Sequence, residues 1–572
     1  MAFAEKNSVS WKSFDWAGLG WAYLFFWYFS GIHHLLLQLG GATIFFGFRQ
    51  ATIMSILWLV PVLLFPHKTR VISAVIGVIL WAFSLVSLGY FCIYQQEFSQ
   101  SVIFIMFESN PNEASEYFSQ YFVWWMIPAA VTYTGVAYYL WRRLRPLAMP
   151  RPWAWALSVL ILLVLFVWPI QKYLFNRQMP IPVDASIEKI KLRMEPAVPW
   201  QIIVGYLHYR EQLANMQELL DQNDKVPPLQ NLKDAYADQP STLVLVIGES
   251  TNRQHMSLYG YGRSTTPRLD AIRDQLVVFN NVVSPRPYTI ETLQQVLTFA
   301  DQENPDLYLT KPSLMNMMKQ AGYKTYWITN QQTMTKRNTM LTNFARQTDE
   351  QVYLNNSRAQ NSREYDGNVF EPFQRILKEP GERKLVIIHL LGTHMKYEYR
   401  YPPEYERFKD RSGTAEWVEN SQLEAINSYD NAVLYNDFVV SSLIGTLAKT
   451  QPNGMLVYFA DHGEDVFDSP GHQKLGRNEG KPTVPMYTVP FILWQSEKWR
   501  ASHPMAIKGK LDRRYSTSHF IHTWSDLVGL SYDGFDSTKS LISKDFKEIP
   551  LLVGDPAAPK SLIDLRSMMP AR

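Results

Sequence analysis

The chain has 572 residues and a formal net charge of +3. That is enough for a membrane bundle plus one large globular domain, and it leaves no basic surplus that would mark a nucleic-acid partner. A single cysteine, Cys92, excludes an intramolecular disulfide, so any extracytoplasmic part must be held by its core, by a bound metal or by both.

Five apolar stretches occupy the amino-terminal third, at residues 16–37, 43–65, 71–94, 121–141 and 153–174. Each is near the ~20 residues that cross a bilayer, and their ends are rich in Trp and Tyr, as interfacial belts are. His33 and His34 fall inside the first stretch and read as bundle-facing residues without a function of their own. Lys6, Lys12, Lys68, Arg70, Arg142, Arg143, Arg145 and Arg151 all fall on one side of this topology. The other side has Arg49 and an acidic connector at 95–119 with Glu97, Glu108, Glu113 and Glu116. The positive-inside rule then places the amino terminus in the cytoplasm and, after five spans, everything beyond about residue 175 outside it. The first span has no cleavage signature and reads as an uncleaved anchor.

Residues 176–240 are expected to connect membrane and domain. Within them, 185–223 mixes apolar and charged residues with a helical period in its second half. Trp200 and Tyr206 are placed for the headgroup region and Arg210 and Glu211 for water, or the helix packs on the globular domain. Residues 224–240, with Pro227 and Pro228, read as the linker.

From residue 241 to 572 the pattern is βα. Apolar strands are expected at 242–247, 324–328, 384–390, 455–459 and 489–494, and helices at 312–321 and 423–448. This predicts a doubly wound, mainly parallel α/β sheet. Gly260-Tyr261-Gly262 lacks the continuation and the lysine of a phosphate loop, so nucleotide binding has no support.

Open sheets of this kind bind ligands beyond the carboxyl ends of their strands. Polar residues of consistent type follow these strands: Glu249 the first, Asn330 the second, His389 and His394 the third, and Asp461, His462 and Glu464 the fourth. Carboxylates with imidazoles suit zinc or manganese. Ser250, Thr251, Thr265, Thr266, Thr289 and Thr292 are all candidates for an activated hydroxyl, and spacing does not choose among them. Thr289 precedes the helical run 291–299, where it would cap a helix or meet an anionic group at the helix amino terminus.

Gly248-Glu249-Ser250, Met256-Ser257-Leu258-Tyr259-Gly260-Tyr261, Thr265-Thr266-Pro267, Asn281-Val282-Val283-Ser284 and Asp461-His462-Gly463-Glu464 together resemble the phosphoethanolamine transferases of Gram-negative envelopes, in the alkaline phosphatase and sulfatase superfamily. Arg286-Pro287-Tyr288-Thr289-Ile290 and Pro312 to Met318 resemble the branch that acts on lipopolysaccharide core heptose. The resemblance covers nearly the whole chain. It implies an inner-membrane, multi-pass, monomeric enzyme with a periplasmic catalytic domain. Its zinc ligands would be Glu249, Asp461 and His462, with Thr289 as fourth ligand and nucleophile. It also implies that His394 and His472 lie near the transferred group or a second metal, and that Asn330 contacts substrate.

The implied reaction moves phosphoethanolamine from phosphatidylethanolamine to Thr289 and then to a lipopolysaccharide acceptor, with His394 or His472 handling the proton. Glu464 joins Asn330, His394 and His472 as an expected substrate contact. Glu116, in the connector with Phe104, Met106 and Phe107, is expected to hold the donor's ethanolammonium, against a plainer reading as part of a solvated acidic connector. A phosphoglycerol transferase of the lipoteichoic acid type and a non-enzymatic membrane scaffold are the alternatives. The cysteine or serine followed by Pro-x-Arg that a sulfatase's formylglycine requires is absent.

Overall fold

Runs of apolar residues without charge become helices in the amino-terminal part. The computed structural model describes residues 15–40, 45–94, 103, 106–107, 122–168, 183–221, 227–331, 340–355, 365–556 and 562–569. They form two compact units, one within Met1–Glu211 and one within Gln212–Arg572.

In the first unit, Trp16–Trp27 continues through a π-helical turn at Tyr28–Ile32 into His33–Leu39. Asp15 starts it by accepting a hydrogen bond from Gly18 N at 2.9 Å. Phe45–Leu64 and Pro66–Ile93 are long and apolar enough to cross a membrane, and Arg151–Val167 is a shorter apolar helix. Met126–Arg143 lies at the fourth expected stretch. Val71, Val75 and Val78 leave an apolar outer face exposed, while Phe26, Val62 and Leu80 are fully buried. His33 and His34 are both buried, and His34 Nε2 pairs with the carbonyl of Pro196. Trp200 stacks on Trp58 with ring centroids 5.7 Å apart, and Tyr206 packs beside Phe107. Glu108, Glu113, Glu116 and Phe104 lie outside the described residues.

The second unit is built on a seven-stranded sheet. In chain order its strands are β1 (Ser241–Gly248), β2 (Leu276–Val278), β3 (Lys324–Thr329), β4 (Glu350–Tyr353), β5 (Arg383–His389), β6 (Gly454–Ala460) and, after a small hairpin of β7 (Asp465–Val466) and β8 (Leu475–Gly476), β9 (Phe491–Gln495). The spatial order is β2-β9-β6-β1-β5-β3-β4. The five strands from β6 to β4 are parallel, whereas β9 pairs antiparallel with both β6 and β2. The sheet is mainly parallel, as expected, and mixed at one side. The run at 489–494 does form a strand, but it enters from the opposite end.

Alternate residues of β1 serve two cores, as the pleat requires. Leu243, Leu245 and Ile247 pack with helix α1 (Thr289–Val296) and helix α2 (Leu314–Gln320), whereas Val244 and Val246 pack with helix α3 (Asn420–Thr450). Helices on both faces keep every residue of β1 buried and make its sequence continuously apolar. Register then places the site. Ile247 pairs with His389 on one side and Phe459 on the other, and Gly248 pairs with Ala460. Glu249 and Asp461, the next residues of β1 and β6, emerge side by side.

Candidate active site

Glu249 and Asp461 are 1% and 0% exposed, a costly place for two carboxylates unless something positive joins them. Thr289 Oγ1 donates to Glu249 Oε2 at 2.8 Å and lies 3.4 Å from His462 Nε2. His462 Nε2 stands 3.2 Å from Glu249 Oε1 and 3.4 Å from Asp461 Oδ2. Glu249, Thr289, Asp461 and His462, contributed by two strand ends and one helix start, thus meet in one place.

Thr289 is the first residue of α1, and its hydroxyl caps nothing. Tyr288 occupies the N-cap position and makes no side-chain cap bond. The preceding turn is held instead by Ser284 and Thr292, whose hydroxyls both donate to the Arg286 carbonyl, at 3.0 and 2.9 Å. Arg286 is itself clamped, its Nε and Nη2 donating to Glu479 at 2.5 and 3.0 Å. The hydroxyl is left free to face the carboxylates.

The donor set fits a metal. Asp461 Oδ1 accepts from the amides of Ser250 and His462 at 3.2 and 2.7 Å, while Oδ2 is buried without a hydrogen-bond partner. A buried carboxylate oxygen with no hydrogen-bond partner among the described residues is what a cation would satisfy. His462 Nδ1 lies 3.0 Å from the Gly463 carbonyl, so that nitrogen carries the hydrogen and Nε2 keeps a lone pair towards the carboxylates. His389 is a further nitrogen donor. It is wholly buried with neither ring nitrogen bonded, and one of them lies within 4.8 Å of ligand atoms of Glu249 and Asp461. We favour His462 as the ligand, since its Nε2 lies 3.2 and 3.4 Å from the two carboxylates and also faces Thr289. Glu249, Thr289, Asp461 and His462 supply three oxygens and one nitrogen, suited to tetrahedral zinc.

Electrostatics agree with that reading. Burial pushes both carboxyls up, but His462, His394 and Arg477 hold Glu249 well below its usual range. Burial and the charge on Glu249 together push Asp461 well above its own. Two adjacent buried carboxylates shifted in opposite directions repel one another, and a dication between them would favour the ionised form of both.

Two glycines permit the close packing behind the ligands. Gly392 has φ +54°, and a Cβ there would lie 2.6 Å from the Glu249 carbonyl oxygen and 2.7 Å from its nitrogen. At Gly463 a Cβ would meet the Pro485 carbonyl at 2.1 Å. The turn at Gly392 is fixed by Asp366, which accepts from the amides of Leu391 and Gly392, each at 2.8 Å. Thr393 N closes it by donating to the Glu249 carbonyl at 3.0 Å.

The other expected site residues are placed as follows. Asn330 is buried, and its Nδ2 donates to Asp366 Oδ1 at 2.9 Å, which ties it to the Gly392 turn. His394 follows that turn, close enough to feel the charges of Glu249 and His462, and burial pushes its pKa down to about 3. Glu464 accepts from Tyr397 at 3.1 Å, and burial raises it to about 7 against the pull of Arg477. His472, with φ +49°, sits in the loop of the β7–β8 hairpin. It stacks on Trp417 at 3.7 Å with Nδ1 2.7 Å from the Phe467 carbonyl, and no described contact brings it to Thr289.

Arg477 had no signal in the sequence. Gly476 pairs with Asp465 across the hairpin, so Glu464 and Arg477 flank its base, Nε to Oε2 at 3.1 Å. The guanidinium contacts His462 Nε2, and its Nη1 lies 3.6 Å from Glu249 Oε1 and 3.5 Å from the Pro287 carbonyl. Gln331, also unforeseen, donates to Glu249 Oε2 at 3.3 Å and to the Leu390 carbonyl at 2.9 Å.

Residues 241–530 match the Sulfatase family. The chain is 55% identical to the phosphoethanolamine transferase EptC of Escherichia coli O18:K1:H7, over 96% of each chain. It is 54% identical to the phosphoethanolamine transferase CptA of Salmonella typhimurium, again over 96% of each. It superposes on the crystal structure of the C-terminal periplasmic domain of Escherichia coli EptC in complex with Zn, with 58% identity and a TM-score of 0.58, covering 60% of this chain and 97% of that one. The integral membrane protein lipooligosaccharide phosphoethanolamine transferase A of Neisseria meningitidis shares the fold at 17% identity and a TM-score of 0.63, over 91% of this chain and 98% of that one.

Proposed function

The chain belongs to the phosphoethanolamine transferases with a sulfatase-family domain, and from that premise we propose that it moves phosphoethanolamine from phosphatidylethanolamine to a lipopolysaccharide acceptor, core heptose foremost, through a covalent intermediate on Thr289. The observation that carries this reading is the Thr289 hydroxyl, 2.8 Å from Glu249 and 3.4 Å from His462, beside a buried Asp461 oxygen that lacks a partner. A hydroxyl so placed completes a ligand set and faces any phosphorus brought to it.

Zinc held by Glu249, Asp461, His462 and Thr289 would lower the pKa of the hydroxyl and offset negative charge on the phosphoryl oxygens. The rest is done by the chain's own groups. In the first half, Thr289 Oγ1 attacks phosphorus, the bond from phosphorus to the glycerol oxygen breaks, and the threonine proton ends on the departing diacylglycerol. In the second, an acceptor hydroxyl attacks the same phosphorus, Thr289 Oγ1 leaves, and the acceptor's proton returns to it. No net proton is consumed. His394, beside Glu249 and His462, is our assignment for the carrier. His472 is a second candidate, with the Nε2 lone pair left available by the Nδ1 contact to Phe467. Asn330 and Glu464 border the substrate space in this reading, and Glu116 meets the ethanolammonium.

Residues 1–175 are assigned to five membrane spans, 176–240 to the connecting segment and 241–572 to a periplasmic catalytic domain of a monomeric inner-membrane protein. The apolar outer face at Val71, Val75 and Val78 supports the assignment. Holding the domain at the membrane raises the effective concentration of two lipid-borne substrates.

The test is the mass of the Thr289 peptide from full-length, zinc-loaded protein incubated with phosphatidylethanolamine and no acceptor. One added phosphoethanolamine, absent in Thr289→Ala and slowed in Glu116→Ala, is expected. An adduct formed only from phosphatidylglycerol would replace the donor, and none from either lipid would remove the covalent mechanism.

A further inference from the structure

Among the described residues, the strong positive charge in contact with the candidate ligands belongs to Arg477. Its guanidinium lies against His462 Nε2, and that nitrogen is 3.4 Å from Thr289 Oγ1. Its Nη1 is 3.6 Å from Glu249 Oε1, whose partner oxygen holds the Thr289 hydroxyl at 2.8 Å. By either route the guanidinium is within the span of one phosphoryl group of the nucleophile. It is also held from behind: Nε faces Glu464 at 3.1 Å, and the side chain is 14% exposed. Nη2 makes no hydrogen bond to any described residue.

A planar cation paired at Nε with a carboxylate, with Nη1 beside His462 Nε2 and Glu249 Oε1, has the form of an anion clamp. Metal ligation at His462 Nε2 would displace Nη1 from that lone pair and free a second donor. We propose that Arg477 binds the non-bridging oxygens of the transferred phosphoryl group, both on the donor lipid and on Thr289, and that Glu464 is the positioning residue that aims it. A trigonal-bipyramidal phosphorus spreads charge over three equatorial oxygens, more than one metal ion reaches, and a fixed guanidinium meets the remainder without reorganising. This assignment rests on the phosphoryl-transfer reading above.

The alternative is a counter-charge that only neutralises Glu249 and Glu464. Full-length wild type, Arg477→Ala and Arg477→Lys, each loaded with stoichiometric zinc, separate the two. Three readouts are taken: bound zinc, the Kd of free phosphoethanolamine by calorimetry, and the rate of adduct formation on Thr289. A clamp predicts that Arg477→Ala retains its zinc, binds phosphoethanolamine at least tenfold more weakly and forms the adduct about 10²–10³-fold more slowly. It also predicts that millimolar guanidinium ion restores part of both and that Arg477→Lys is intermediate. Zinc loss in proportion to the loss of rate, or unchanged phosphoethanolamine affinity in a zinc-loaded variant, overturns the clamp. Failure of the wild type to form an adduct while binding phosphoethanolamine through Arg477 would remove the covalent reading and leave the anion site standing.

Discussion

Replacing Gly392 by alanine tests whether the candidate metal site is held from behind by backbone packing, because the substitution alters no candidate ligand side chain and adds one methyl group. That carbon would stand 2.6 Å from the Glu249 carbonyl oxygen, about 0.8 Å short of ordinary contact at 3.4 Å, and the backbone there has φ +54°. The left-handed conformation costs an alanine about 1–2 kcal/mol, and relieving the overlap costs about 1–3 kcal/mol more. Since Thr393 pins the same carbonyl at 3.0 Å, relief must move the Glu249 backbone itself. A displacement approaching 1 Å at a reacting centre lowers rate about 10²-fold, and disturbing the partners of a ligand weakens metal binding about 10–100-fold. Gly509→Ala is the control. It has φ +77° and nothing within 4 Å, so it carries the conformational cost without the collision. We expect both variants to lose stability in denaturant unfolding, Gly392→Ala by about 2–5 kcal/mol and Gly509→Ala by about 1–2 kcal/mol. Only Gly392→Ala should lose zinc affinity, by competitive titration, and adduct formation. A Gly392→Ala protein with normal zinc affinity and normal rate would refute the claim that this turn sets the position of Glu249.

Two further outcomes follow from the charges. Chelation should lower the melting temperature of the purified protein, and zinc at about 100 times its Kd should restore about 2.7 kcal/mol; Asp461→Asn should melt at one temperature with or without the metal, and a preserved zinc-dependent shift would exclude Asp461 as a ligand. His255 is buried between Asp430 at 2.6 Å and Asp468 at 3.2 Å. Burial opposes its charge, but Asp468 and Asp430 raise its pKa to about 10. A folded value above the unfolded one stabilises fully below about pH 6.5 and loses that contribution as pH rises through about 10. The stability gap between wild type and His255→Gln, measured by thermal melts, should therefore be several-fold larger at pH 6.5 than at pH 10.5; a gap independent of pH would mean that His255 is uncharged.

The two carboxylates were legible in the sequence for a physical reason. Strands buried on both faces read as uninterrupted apolar runs, so the first acid after each run marks a strand end, and parallel neighbours bring such ends together. Direction is not written in composition. The run 489–494 looks like its parallel neighbours, and only the chain's return through Pro485 to Thr488 makes β9 antiparallel. The edge strand β4, half-buried throughout, gave too weak a pattern to be read. Thr289 could be chosen among six hydroxyls only through a family resemblance, since its partners are distant in sequence. Arg477 escaped altogether, because its place depends on a hairpin of two-residue strands and on an ion pair across its base.

The pairing of Gly248 with Ala460 makes the sheet a measuring device. Adjacent strands lie about 4.8 Å apart wherever backbone hydrogen bonds join them, so the gap bridged by Glu249 and Asp461 is a property of the peptide ladder. Side chains along β1 and β6 can change with the needs of the two cores without altering that gap, provided the ladder does not slip. A slip of a single residue would reverse every inward and outward face of the strand. The spacing of the two carboxylates is thus protected by the whole sheet, whereas Arg477 rests on a short hairpin and can change by itself.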